Sequence, residues 1–185
     1  MRPFDYLIVL FSVLLGLSLS RLLAGLARVV VDPARRLHWL PLLWTIQLFL
    51  VQVMLWWLIY VRVYQVEWTF AHYLVILAYP VLGFFMAVLL FPELGSEDEG
   101  TVESFLDRRR WFFGIWILSL VLDATENAMG GVPEGMGQPA WGLLIGTPLL
   151  GAALITRKRW YHALLAILLL AMVLGSVFRM MPEIR

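Results

Sequence analysis

Ser119, Asp123, Glu126, Asn127 and Gly130 recur at spacings of three and four, which sets them on one face of an α-helix. Two carboxylates one turn apart can line a path for a cation or a proton. They do not make an aspartic-type acid–base pair, which needs carboxylates on facing elements, whereas Asp123 has only Glu126 on its own helix. Counted from Trp111 at 1.5 Å per residue, Asp123 lies about 18 Å and Glu126 about 23 Å along that helix. In hydrocarbon a carboxylate costs about 3 kcal/mol, and such residues face a bundle interior or a water cavity. The opposing reading ends the helix near Asp123 and leaves its polar end in water, because Ala128 to Gln138 is rich in glycine and proline.

A second polar stripe, Ser18, Arg21, Gly25, Arg28 and Asp32, runs along an apolar helix on the side away from Asp5. Arg21 there either extends its guanidinium to the headgroups or pairs with a carboxylate on another helix, Asp123 being the acidic residue at comparable depth. On another face Ser12, Gly16, Ser20 and Ala24 follow at four-residue intervals, a pattern that lets a second helix approach closely. Gln47 and Gln52 cannot stay unsatisfied in lipid, so they are expected to point inward and hydrogen-bond to neighbours. Gly142, Gly146, Pro148 and Gly151 interrupt a short apolar segment. A simple kinked helix fits that pattern, and so does a transporter-type break whose freed backbone groups hold ions.

Other chemistry finds little support. His38 and His162 begin segments at one face and His72 at the other; as residues beside Trp39 and Trp160 the first two read as interfacial side chains rather than haem ligands. No metal site or cofactor is expected. With zero cysteines, thiolate chemistry, disulfides and Cys-type zinc sites are excluded. No G-x-S-x-G elbow, H-E-x-x-H helix or phosphate-cradling glycine loop occurs, so no enzymatic activity is expected. A net charge of +1 gives no sign of nucleic-acid binding.

The elements that must carry these residues follow from composition. Of 185 residues, 62% are hydrophobic and 15% charged, far from the roughly 45 to 50% and about 25% of a soluble domain. A bilayer crossing takes about 20 apolar residues. Six such segments fit: Phe4 to Arg28, Trp39 to Val61, Trp68 to Phe91, Trp111 to Gly130, Trp141 to Ile155 and Trp160 to Phe178. Trp39, Trp56, Trp57, Trp68, Trp111, Trp141 and Trp160 fall near their ends, where an apolar ring with one N–H donor is best placed. Arg2 ahead of an apolar stretch, with a small-x-small pattern from Leu17 to Ser20, resembles a cleaved leader. Asp5 breaks that order, so a permanent helix is expected.

Orientation follows from the basic residues. With six spans, the first, third and fifth connections share a face and carry Arg28, Arg35, Arg36, Arg108, Arg109, Arg110, Arg157, Lys158 and Arg159, nine in all, against four (Arg2, Arg62, Arg179, Arg185) on the other. The positive-inside rule then places both termini outside. The third connection, Pro92 to Arg110, carries the acidic tract Glu93, Glu97, Asp98, Glu99 and Glu103. Thr101 and Glu103 are expected to start a helix that runs through the arginine triplet into the fourth span. The tract reads as a solvated loop or, less simply, a regulatory or cation-sensing one. His72 and His162 each follow a tryptophan and precede Pro92 or Pro182 by 20 residues, a spacing that would suit a three-plus-three duplication.

The expectation is thus an all-α, six-transmembrane-helix bundle, one integral membrane domain over residues 1–185, multi-pass in a cell membrane with N- and C-termini outside. Its partners are the lipid bilayer and a second copy or another membrane protein. Two functions compete: a channel or small transporter for protons or small cations, with Asp123, Glu126, Asn127 and Ser119 on the path and Arg21 as counter-charge, or a non-conducting accessory, scaffold or sensor whose Ser12, Gly16, Ser20, Gln47, Gln52, Gly146 and Pro148 fix helix packing.

Overall fold

The computed structural model describes residues 3–31, 38–62, 69–91, 101–129 and 140–180. Outside them lie Arg2, Asp32, Arg35, Arg36, Glu67, Trp68, the acidic positions 93–99, Gly130 with the glycine- and proline-rich connection, Pro92, Pro182 and Arg185, as does the side chain of Asp5. Among the described residues six helices follow one another: α1 (Pro3–Val31), α2 (Trp39–Arg62), α3 (Phe70–Leu90), α4 (Val102–Ala128), α5 (Ala140–Ile155) and α6 (Arg159–Met180).

Local chemistry sets their ends. Thr69 caps α3 by accepting a bond from the His72 N–H at 3.3 Å, and Thr101 caps α4 by accepting from Ser104 N–H at 3.2 Å. A hydroxyl at this position satisfies one of the orphan donors of the first turn. Glu103 adds a negative charge beside the positive end of the α4 dipole. From this cap α4 runs through Arg108, Arg109 and Arg110 without a break, as the spacing predicts, and continues past Asp123 to Ala128. An early end near Asp123 is therefore not what forms.

Among the described residues, four helices are long and apolar enough to cross a membrane, over Leu7–Arg28, Trp39–Ile59, Phe70–Leu90 and Arg159–Ser176. The other two segments of the six-span expectation fall short for different reasons. The apolar part of α4 is diluted by Asp123, Glu126 and Asn127, and α5 offers only Leu143–Ile155. The chain is all-helical, and its apolar helices are compatible with a multi-pass membrane protein.

α1 packs chiefly on α3, α4 on α5 and α3, and α2 on α6, α3 and α1. The larger core gathers Leu22, Leu40, Trp44, Phe91, Val102, Phe105, Ala153 and Ala163. These residues come from the end of α1, the start of α2, the end of α3, the start of α4, the end of α5 and the start of α6. These six helix ends therefore lie together at one end of the bundle. A smaller core of Leu7, Phe11, Leu15, Ile59 and Ile76 joins α1, α2 and α3 toward the opposite end.

The packed face of α1 is Leu7, Phe11, Leu15, Ser18, Leu22 and Gly25, an alternation of three- and four-residue steps that keeps one stripe turned inward. The small-residue face expected to make close helix contact does not do so within the chain. Gly16, Ser20 and Ala24 are exposed and Ser12 is half-buried, and a Cβ at Gly16 would meet nothing. Close approach occurs instead at Gly25, where a Cβ would overlap the Phe91 ring. The duplication suggested by His72 and His162 is not repeated in the packing either, because the first helix of one half packs on its third and the first helix of the other on its second.

Candidate functional site at the α3–α4 interface

Glu126 is 1% exposed, and the Tyr79 hydroxyl of α3 donates to its Oε2 at 3.1 Å. Tyr79 precedes Pro80 inside α3. The missing N–H of that proline leaves the Ile76 carbonyl without its helical donor, a local weakness in the ladder one turn from the tyrosine. Asp123, one turn before Glu126, is half-buried, as are Ser119 and Asn127. Ser119 turns its hydroxyl to the Ile115 carbonyl of its own helix at 3.1 Å. Of these residues on α4, one, Glu126, is buried and meets a side chain of another helix. Tyr79 was not singled out from sequence; a lone tyrosine in an apolar run carries no signal of which carboxylate it will meet.

Arg21 is elsewhere. Its guanidinium donates to the carbonyl of Phe91, the residue that ends α3. Tyr79 sits twelve residues earlier in the chain, roughly 18 Å along the axis, so Arg21 and Glu126 are anchored at different levels of α3. Arg21 thus acts as a cap on α3: an arginine fork takes carbonyls that the end of a helix leaves over.

Of the expected packing residues, Gln47 and Gln52 do point inward, at 1% and 2% exposure. The hydrogen bonds expected of them are not all made. The Gln52 carboxamide lies against Gly83, with Nε2 3.5 Å from where a Cβ would stand. Neither its Nε2 nor its Oε1 has a partner among the described residues, and the same holds for Gln47 Oε1 and the buried Ser18 hydroxyl. In α5 the helix continues through Pro148, which is exposed, and a Cβ at Gly146 would stand 3.8 Å from the Leu120 side chain, in ordinary van der Waals contact. An open groove of about 370 Å³ runs between α4 and α5, lined by Leu120, Val121, Ala124, Thr125, Leu143 and Thr147 among others. It is formed mainly by apolar side chains.

A second polar site lies where α4, α5 and α6 meet. Arg109 is 5% exposed and donates to the Leu106 carbonyl at 2.7 Å and the Ile155 carbonyl at 3.2 Å, fastening α4 to the last residue of α5. Burial, then the like charges of Arg157 and Arg110, pull its pKa below the ordinary arginine value, with Asp107 acting the other way. His162 is fully buried, not the interfacial side chain expected beside Trp160. It stacks on Phe113 with centroids 5.3 Å apart and meets Phe105 edge-on, while its Nε2 lies 3.0 Å from the Thr156 carbonyl. Trp44 closes this aromatic core against Phe105, Phe112, Phe113 and Trp116.

Several of these polar contacts cross between elements or close a turn: Tyr79 to Glu126, Arg109 to Ile155, Arg21 to Phe91, and Tyr161 hydroxyl to the Leu149 carbonyl at 2.7 Å. Such an arrangement can hold helices in register, and in the Tyr79–Glu126 pair it also sets a hydroxyl proton beside a buried carboxylate. No family model, curated protein or solved structure matches the chain.

Proposed function

We propose that the protein is a six-crossing membrane protein with both termini outside, working as a non-conducting accessory or scaffold through helix association. The observation that carries this reading is how the buried polar groups are used. Arg109, Arg21, Tyr161 and Tyr79 each spend a donor on another helix or on a helix end, which is the use of polar side chains that fixes packing in a bilayer. The outward small-residue face of α1, Gly16, Ser20 and Ala24, suits association with a second copy or another membrane protein. In this arrangement α4 and the short α5 cross as a pair, with the Glu126 carboxylate of α4 turned to Tyr79 rather than to lipid.

A second reading has one specific observation in its favour: Glu126 is buried beside the Tyr79 hydroxyl with Asp123 one turn away. Ionisable groups at such positions line proton or cation paths in other membrane proteins. The two readings separate in proteoliposomes loaded with a pH dye. Purified protein is expected to pass neither protons nor small cations over a broad pH range. A flux that Asp123→Asn or Glu126→Gln abolishes, with folding intact, would establish conduction and overturn the scaffold reading.

A further inference from the structure

The rim formed by the start of α4 and the α5–α6 turn carries Arg108, Arg109, Arg110, Arg157, Lys158 and Arg159 against Glu103 and Asp107. Both carboxylates are engaged: Asp107 by Arg157 and Glu103 by Arg159, in pairs that tie the two helix starts together. Arg109 is buried on backbone carbonyls, and Arg108 turns back to Ser104. Arg110 and Lys158 are exposed and have no carboxylate partner among the described residues. An exposed indole follows each of them closely, Trp111 at 72% and Trp160 at 58%.

We propose that this rim binds the phosphate of an anionic phospholipid, with Arg110 and Lys158 as the cations that meet it and Trp111 and Trp160 resting at headgroup level beside its glycerol backbone. This rests on the membrane reading above. The chemistry is that of a basic pocket between helix ends at the bilayer surface. Arginine supplies a planar fork for phosphate oxygens and lysine a mobile point charge, while tryptophan prefers the interface because its N–H stays wet as its ring stays apolar. The salt bridges to Asp107 and Glu103 bridge the α5–α6 turn to α4, so Arg110 and Lys158, without a carboxylate partner among the described residues, come from elements already in contact. A bound phosphate there would add to that junction rather than compete with it.

The test uses the full chain reconstituted in phosphatidylcholine alone and in an equal mixture of phosphatidylcholine and phosphatidylglycerol, with co-purifying lipid measured after detergent extraction. Insertion into phosphatidylcholine examines the membrane reading by itself; a chain that fails to insert defeats that reading. Given insertion, phosphatidylglycerol is expected to be enriched over its starting share, and the enrichment to fall about fivefold for each of Arg110→Gln and Lys158→Gln. The charge-keeping pair Arg110→Lys and Lys158→Arg should retain it, which separates lost binding from lost folding. Glycerol phosphate should not displace the lipid, because it lacks the chains. Equal recovery of the two lipids, undiminished enrichment in the neutral variants, or displacement by glycerol phosphate would each overturn the proposal.

Discussion

At the α3–α4 interface a tyrosine hydroxyl and a carboxylate meet at 3.1 Å, with the carboxylate's residue 1% exposed. A hydrogen bond contributes about 0.5 to 1.5 kcal/mol net, and taking away one buried partner costs more than taking away both. Tyr79→Phe is therefore expected to destabilise the folded protein by about 1 to 3 kcal/mol in a denaturant titration in detergent. The double variant with Glu126→Gln should be less impaired than the sum of the singles, with a coupling of about 1 kcal/mol; additive losses would mean that the pair contributes nothing to cohesion. The sequence reveals the carboxylate side of this pair, because spacings of three and four mark a helix face. It does not reveal the tyrosine, since a contact between residues 47 apart depends on how two helices dock. Arg21 shows the same limit from the other direction. Its cost in hydrocarbon implies a partner, but a backbone carbonyl is present at every residue and leaves no mark in the pattern.

At the scale of elements, hydropathy places all six helices, and the Thr101 cap is readable because a hydroxyl one residue before the helix meets a donor three residues on. What it misjudges is which faces meet. Ser12, Gly16, Ser20 and Ala24 look like a packing seam, yet the seam α1 uses within the chain is the apolar stripe ending at Gly25. Small residues permit close approach without requiring it, and the burial of Leu7, Phe11, Leu15 and Leu22 decides which face turns inward. Gly25 is where α1 comes nearest to the end of α3, since a Cβ would overlap the Phe91 ring. Gly25→Ala should accordingly force Phe91 to shift and lower stability by about 1 to 3 kcal/mol, as overpacking does. Combining it with Phe91→Leu should recover part of the loss. If Gly25→Ala is as stable as the parent by thermal unfolding, the α1–α3 contact at this point is looser than described.

Across the whole molecule, the large core joins the end of α1 to the start of α2, the end of α3 to the start of α4, and the end of α5 to the start of α6. That sets the basic start of α4, with Arg108, Arg109 and Arg110, and the basic α5–α6 turn, with Arg157, Lys158 and Arg159, at the same end of the bundle. Arg157 with Asp107 and Arg159 with Glu103 bridge the α5–α6 turn to α4, exposed pairs that contribute little beside the apolar cores. The central claim, six crossings with this basic end inside, is open to direct measurement because the chain has no cysteine. Single cysteines placed at Gly95, Gly135 and Lys158 are treated with a membrane-impermeant maleimide in intact cells and again after permeabilisation. Gly135 should label in intact cells, and Gly95 and Lys158 only once the membrane is opened. Labelling of Gly95 and Gly135 from the same side would mean that α4 does not cross, and would contradict the account.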